Sequence, residues 1–541
     1  MTGIGKKTKT ISATGSAFID SILSETAWSG SVTYAFPTSS SQYNYSGYSE
    51  PNEGFRAVSD GVKKAALFAL EKSYGSAAND GFSVEGFTNL GVSQSNSSST
   101  ATLRFAESTY YNPTAKAYFP GTYAEAGDLW FGTDYAGDPT LNLRTPKAGN
   151  YAWHTLIHEV GHSLGLEHAH TGDGLAMMPT EYDTVEYTVM TYRTFVGAVG
   201  DGYTYGDYDA PQTFMMADIY ALQHMYGADY TTNSGNTTYK WNPGNGQTYV
   251  NGQVAISPGA NRIFATIWDG GGNDTYDLSS YKNALELDLR PGSYSVFSKV
   301  QLADLGGGPN DGYARGNIFN ALLYRDDTRS LIENAKGGSG NDEIIGNEAA
   351  NRLYGNNGND RLYGQEGSDA LYGGAGADRL YGGSGTDTAS YATATKGVTA
   401  SLSNPSLNTN DAKGDIYSSI ENLYGTNYND KLIGNGYANR LSGGAGNDVL
   451  NGGAGNDILA GGSGYDDFIF RKGYGKDTIL DFTNGLDQID LRSYGFKSAS
   501  SVMSKADQVG ADVHITFAAT DILLLKNFDI ADLNKGDFLL A

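Results

Sequence analysis

The 541-residue chain is long enough for two to four domains, and its 36 basic against 60 acidic residues leave a formal charge of −24. That charge makes nucleic acid and anionic membrane surfaces poor partners and divalent cations good ones. With no cysteine there are no disulfides, thiolate ligands or cysteine nucleophile, while 39 tyrosines and 21 phenylalanines describe folded material.

The N-terminal stretch MTGIGKKTKTISATGSAFIDSILS has early lysines but no apolar run of signal-peptide length, so no signal peptide is expected, and residues 1–16 are a candidate short propeptide. No later segment is long and apolar enough to span a membrane. Over 54–75, Phe55, Val58, Val62, Ala65, Ala66, Ala69 and Leu70 recur at helical spacing and predict an amphipathic helix packed on a sheet. Strand-like runs follow at FTNLGVS near 87, ATLRFAES (101–108), AYFP (117–120) and GDLWFGT (127–133).

A second helix is predicted over roughly 149–165 and carries HEVGHSLGLEH, His158 to His168. On that helix His158 and His162 are one turn apart and share a face, with Glu159 placed to reach a water without binding the ion. Gly165 can end the helix in a left-handed turn that returns His168 as a third ligand. Three neutral imidazoles favour Zn²⁺ and leave a coordination position open, as in a catalytic site. His154 and His170 read as supporting or solvated, and His224 and His514 as ordinary structure. A further helix, FMMADIYALQHMYG at 214–227, completes this region.

From Gly337 the texture changes to a period of nine: six units in register to Ser390, then, after a gap, five from Gly425 to Ile469. IENAKGGSGNDEIIGNEAANRLYG aligns with IENLYGTNYNDKLIGNGYANRLSG at an offset of 88 residues, an internal duplication. Each unit reads as a glycine turn plus a very short strand with an inward apolar residue, such as Leu353, Leu362, Leu371, Leu432 and Leu450. Two units make one coil of a parallel β-roll. Aspartates stacked about 4.8 Å apart repel unless a hard cation lies between them, and carbonyls with carboxylates are the set Ca²⁺ prefers. A linker or a dry solenoid has no use for an aspartate at every ninth position.

These nonapeptides resemble the RTX repeats of proteins exported by type I secretion, and the tail KGDFLLA, with Asp537 before Phe538, Leu539 and Leu540, is similar to the uncleaved signal read by that apparatus. The pattern HExxHxxGxxH resembles the metzincin metalloproteases, and with the repeats the likeness is to the serralysin family. That resemblance implies a methionine floor at Met190 in TVMTY. It also implies that Tyr192 both ligates zinc and swings away to stabilise the tetrahedral intermediate. AYFP and GDLWFG resemble the strand that pairs with extended substrate. The HPG that often follows the third histidine is absent, and residues 291–331 look inserted; both bear on cleft shape.

The resemblance also implies calcium at Asp269, Gly271 and Asp274, and at Glu333, Gly338, Gly340 and Asp342, where protease and roll join. Along the repeats it implies ions between the turn of Gly338, Gly340 and Asp342 and that of Gly355, Asn357 and Asp360, then between Gly358 with Asp360 and Gly373 with Asp378. Gly367 with Asp369 would face Gly382 with Asp387, and Asp430 would face Gly443 with Asp448. Gly444, Gly446 and Asp448 would face Gly461 with Asp466. Gly453, Gly455 and Asp457 complete the set, with Asn351 and Asn439 offering neutral oxygens opposite Asp369 and Asp457.

The expected architecture is an α+β zincin (metzincin) catalytic domain over 17–245, a junction over 246–336, RTX repeats over 337–470 with a linker at 391–424, and a C-terminal β cap with the secretion signal over 471–541. The expected activity is a secreted, monomeric zinc endopeptidase acting on proteins or peptides, with Glu159 as general base, Tyr192 on the oxyanion, and structural Ca²⁺. Two other readings remain: a calcium-dependent surface or adhesion protein with an inactive protease domain, and a zinc hydrolase that does not cut peptides.

Overall fold

In the computed structural model, which describes residues 6–43, 49–76, 81–138, 141–200 and 202–541, a mixed sheet lies behind the histidine motif. Its strands run in the order Val92–Gln94, Val32–Ala35, Leu103–Glu107, Asp128–Phe131, Ala115–Ala117. The first four are parallel and the last is antiparallel, an edge strand. Leu103–Glu107 is buried along its whole length, as a central parallel strand is. Its Arg104, 1% exposed, is neutralised inside the sheet by Asp128 at 2.6 and 2.8 Å. Helices Asp60–Leu70 and Tyr151–Leu164 pack on each other, with the Phe68 and Trp153 rings 4.9 Å apart.

Three expectations shift. The first helix starts at Asp60, not near 54, because Ser59 caps it by accepting from the Val62 amide. Arg56–Ala57 ahead of it is a strand on Glu107 and Ala106, and Phe55 joins Tyr43 and Trp130 in an aromatic cluster. Near 87 the chain forms a short helix, Val84–Phe87, and the strand follows at Val92–Gln94. The edge strand is Ala115–Ala117 rather than 117–120, since Pro120 has no N–H to give and the chain bends there toward the turn at Tyr123–Ala126.

The chain divides into two compact units, Met1–Asp277 with Leu289–Ile332, and Leu278–Asp288 with Glu333–Ala541. In the first, Thr8–Thr10 of the candidate propeptide pairs with Thr26–Trp28; residues 1–5 of that segment lie outside the described residues. The helix Met216–Tyr226 ends at Gly227, and the inserted stretch 291–331 packs back on the chain at Thr204 to Gly206 through Leu305 and Asp304 carbonyls at 2.6 and 3.0 Å. Among the described residues no helix is long and apolar enough to cross a membrane.

The second unit is a parallel roll whose strands pair at a register of 18 residues, Leu353 with Leu371 and Leu362 with Leu380, two nonapeptides per coil. The inward leucines are buried, and Tyr354 and Tyr363 stack on Tyr372 and Tyr381 at 4.3 and 4.7 Å. The segment 391–424, expected as a linker, supplies three strands: Thr399–Ser401, Ile416–Ser418 and Asn422–Tyr424. Asn422–Tyr424 continues one column between Thr388–Ser390 and Arg440–Ser442, Ile416–Ser418 ends a second beside Arg379–Tyr381, and Thr399–Ser401 begins a third beside Lys431–Ile433. The tail strand Phe538–Leu539 pairs in parallel with Ile489 and Asp490.

Candidate functional site

The helix Tyr151–Leu164 is started by Asn150, which accepts from the Trp153 amide, and stopped by Gly165 at φ 108°. Its sharp end lets the chain turn back. The result is that His158, His162 and His168 meet, with one ring nitrogen of each within 4.8 Å of the others. His158 Nδ1 lies 2.8 Å from the Val189 carbonyl and His162 Nδ1 2.7 Å from that of Leu166. Each Nδ1–H therefore donates outward and leaves Nε2 as a lone pair facing the centre. The Nε2 atoms of His158 and His162 stand 3.1 and 3.0 Å from that of His168. A tetrahedral Zn²⁺ at about 2.0–2.1 Å from nitrogen sets its ligand atoms about 3.3 Å apart, so three mutually facing lone pairs at this spacing fit that ion. Burial first, then the neighbouring imidazoles, holds His158 well below the ordinary histidine range and brings His162 to about 3 and His168 to about 4. All three are thus neutral, the ligand form.

Glu159 is buried one residue along, and its Oε2 has no hydrogen-bond partner among the described residues. Burial pushes its carboxyl up to about 8, against the Ala117 amide and Lys116, which pull it down. It opens on a pocket of about 210 Å³ lined by Thr114, Ala115, Tyr151, His158, Tyr192 and Tyr203, so the edge strand forms one wall. Tyr192 stacks on His158 at 5.6 Å and lies 4.9 Å from the His168 ring. The edge-strand side also reaches the histidine cluster, with Phe119 edge-on to His162 at 5.1 Å. His154 is buried beneath Tyr203 and 2.8 Å from the Tyr205 hydroxyl, and His170 packs on Tyr192. His224 faces the Ser12 carbonyl and His514 lies in a sheet.

Met190 is fully buried under the motif: a Cβ on Gly161 would meet its sulfur at 2.6 Å. The Ala169 amide donates to the Met190 carbonyl at 3.1 Å, joining the loop of His168 to this turn. What holds the turn is Asp218, which sequence reasoning missed. Its carboxylate accepts from Thr188 Oγ1, the Val189 amide and the Met215 amide at 2.5, 2.9 and 2.9 Å. Burial pushes Asp218 up to about 7 against those three bonds. Because the Val189 carbonyl orients His158, Asp218→Ala is expected to cost about 3 kcal/mol through stranded donors and to lower zinc content. Thermal unfolding and metal analysis check both. Glu186, bonded to Arg315 of the inserted stretch at 2.7 and 3.0 Å, is a second tie that the sequence does not signal.

In the roll, each aspartate's Oδ1 accepts the amide one coil earlier: Asp342 N–H to Asp360, Asp360 to Asp378 and Asp369 to Asp387, at 2.7, 2.8 and 2.8 Å. Asp430 to Asp448 and Asp448 to Asp466 repeat this at 2.8 and 2.9 Å, and Asn351 and Asn439 donate to Asp369 and Asp457. Among the described residues, the Oδ2 atoms of Asp360, Asp369, Asp378, Asp387, Asp448, Asp457 and Asp466 are buried without a hydrogen-bond partner. Each is turned onto the first glycine of its own turn, Gly355, Gly364, Gly373, Gly382, Gly443, Gly452 and Gly461. Gly358, at φ +132°, has the Gly340 carbonyl where a side chain would go. Columns of orphaned carboxylate oxygens among stacked carbonyls fit Ca²⁺.

Gly367, Gly444, Gly446, Gly453 and Gly455 sit in the same left-handed turns, and Asn357 lies in the strand pairing with Ala375. Glu333, Gly338, Gly340 and Asp342 are in the first coil, where Asp342 accepts from the Gly338 and Leu285 amides at 2.7 and 2.9 Å. In the first unit Asp269 accepts from Tyr239 and Gly271 at 2.8 Å each, and Asp274 from the Thr237 amide at 2.7 Å. Burial pushes Asp269 up to about 7, and burial with the Asp269 charge pushes Asp274 to about 8.

Residues 228–404 match the family described as Peptidase M10 serralysin C terminal, and residues 433–468 match the RTX calcium-binding nonapeptide repeat. The chain is similar to the serralysin of Proteus mirabilis, 33% identical over 337 residues that cover 59% of this chain and 60% of that one. It is 34% identical to the metallopeptidase AprA of Pseudomonas marginalis over 44% of this chain and 46% of that one, and 35% identical to serralysin C of Dickeya chrysanthemi over 43% and 44%. The chain thus spans about half the length of the curated relatives it matches. Over that part the chain is similar to the serralysins, and it matches the M10 serralysin C-terminal and RTX calcium-binding repeat families.

Proposed function

We propose that this chain is a secreted zinc endopeptidase of metzincin architecture whose roll is held by calcium. The observation that carries the reading is the convergence of three Nε2 lone pairs, two of them fixed by outward Nδ1 bonds, beside the unpartnered Oε2 of Glu159. His158, His162 and His168, with Tyr192 alongside, would hold zinc, which would supply Lewis acidity toward a scissile carbonyl and its attacking water.

Glu159 takes the proton of that water at Oε2 and returns it to the departing amine; a carboxyl whose burial raises its proton affinity suits both transfers. The Tyr192 hydroxyl donates to the carbonyl oxygen as charge develops there. The edge strand Ala115–Ala117 has no strand on its outer side, where an extended substrate chain can pair with its scissile bond over Glu159. The tail around Asp537 to Leu540 serves type I secretion. At low cytosolic calcium the acidic repeats stay open for export, and outside they fold.

Mass spectrometry of peptides released from a proteome digest, with metal measured on the same sample, tests the reading. The expected result is internal cleavage, about one zinc per chain and loss of cleavage in chelator. Zinc bound without any cleavage favours the adhesion or non-peptidase readings instead.

A further inference from the structure

The catalytic pocket shares two of its walls with a second cavity. Tyr151 and Tyr203 line both, and Tyr135, Leu141, Tyr205 and Asp207 help to enclose the second, a space of about 210 Å³ at the N-terminal end of the histidine helix. Tyr135 and Tyr151 meet edge to face at 6.5 Å, Tyr151 and Tyr203 likewise at 6.3 Å, and Tyr203 and Tyr205 stack at 5.0 Å. Four phenol rings in mutual contact thus bound one space. Its lining holds one carboxylate, the exposed Asp207, and among the described residues no lysine, arginine or histidine.

This wall is fixed from behind. Tyr205 is pinned at its tip, its hydroxyl 2.8 Å from Nδ1 of the buried His154. The residues on either side of it bind the inserted stretch: Thr204 Oγ1 donates to the Leu305 carbonyl at 2.6 Å, and the Gly206 amide to the Asp304 carbonyl at 3.0 Å. Gly306, at φ 73°, makes that approach possible, since a Cβ on it would collide with the Thr204 carbonyl. Residues 291–331 therefore brace the loop that carries Tyr203 and Tyr205. A cavity held in this way is formed before any ligand arrives, so binding there costs little in ordering its walls.

We infer that this tyrosine-lined cavity selects an arginine side chain at one of the first two positions after the scissile bond. The inference rests on the reading of the chain as a peptidase. Tyrosine ring faces attract cations, and the guanidinium is the planar, weakly hydrated cation that stacks on them. Its aliphatic stem suits Leu141, and its fork of donors suits the phenol hydroxyls and Asp207. A leucine or phenylalanine would take those oxygens out of water without giving them a donor. The position follows from Glu159, which lines the shared pocket and returns a proton to the departing amine: the chain that leaves with that amine is the one that passes the cavity.

The test uses the full chain with zinc and calcium, and peptides built on one bond cleaved in the proteome digest and varied only at the first or the second position after it. At one of the two positions, kcat/KM with arginine is expected to exceed that with leucine or phenylalanine by about tenfold. Asp207→Asn and Tyr135→Leu each remove one contact and are expected to lower that ratio by about threefold. A parent that prefers leucine or phenylalanine, or shows no preference at either position, overturns the inference while leaving the peptidase reading in place. A ratio that falls in either variant places the arginine in this cavity, and a ratio that both leave unmoved overturns the assignment. If Tyr135→Leu does not fold, Asp207→Asn, which keeps the side-chain shape at an exposed position, decides alone. A parent that cleaves nothing in the digest overturns the peptidase reading, and this subsite with it.

Discussion

Glu159→Gln is expected to keep about one zinc per chain and to lose about 10²- to 10⁴-fold in casein turnover, the range that a positioned general base supplies. The side chain keeps its shape, and none of the bonds that orient the imidazoles pass through it: those run to the Val189 and Leu166 carbonyls. What is lost is a lone pair able to take a proton, because an amide oxygen is far less basic than a buried carboxylate whose proton affinity has been raised. The drop belongs in kcat with KM little changed, since the proton is transferred only on the way to the transition state. Thermal stability should change little, because the amide oxygen still accepts from the Ala117 amide and the new NH2 opens on the pocket. Steady-state kinetics with metal analysis decides it. Turnover within about threefold of the parent removes Glu159 from the base role.

The histidine site was readable because its chemistry is local. His158 and His162 share a helical face by spacing alone, and Gly165 is the residue that permits the left-handed exit toward His168. Asp218 was not readable, since it lies 28 residues beyond Met190 on another helix and acts through backbone amides that any residue carries. The same distinction explains the first helix. Phe55 is in helical register with Val58 and Val62, but the pull of Tyr43 and Trp130 and the Ser59 cap decide where the helix begins. The edge strand was placed two residues late because AYFP looks apolar and strand-like, whereas the ladder needs amides that Pro120 lacks.

The repeats were legible down to their register, because a nonapeptide with one inward leucine and one turn aspartate defines its own coil of 18 residues. The segment 391–424 was not, because Asp415 and Glu421 meet their partners at 37 and 34 residues, where no period predicts them. Three-dimensional continuity survives the loss of sequence period.

Removing calcium is expected to unfold the roll in a pH-dependent way, and the sign follows from the aspartate column. Burial, aided by like charges one coil away, pushes Asp360 up to about 8 and Asp369 and Asp448 to about 7, well above the unfolded value near 3.9. The ion-free fold thus binds more protons than the unfolded chain, so its stability is fully present below about pH 4 and is lost as pH rises through about 6 to 8. A calcium ion replaces those protons and removes the dependence. In chelator at pH 8, amides of the coils holding Leu353, Leu362 and Leu441 should exchange at unfolded rates, at pH 5 they should regain protection, and in millimolar calcium they should be protected at both. Hydrogen exchange read by mass spectrometry localises the effect to residues 337–470 and corrects for the intrinsic slowing of exchange at low pH. Protection at pH 8 in chelator equal to that in calcium would show that the carboxylates tolerate their stacking without an ion. The columns of unpartnered Oδ2 atoms argue that they do not.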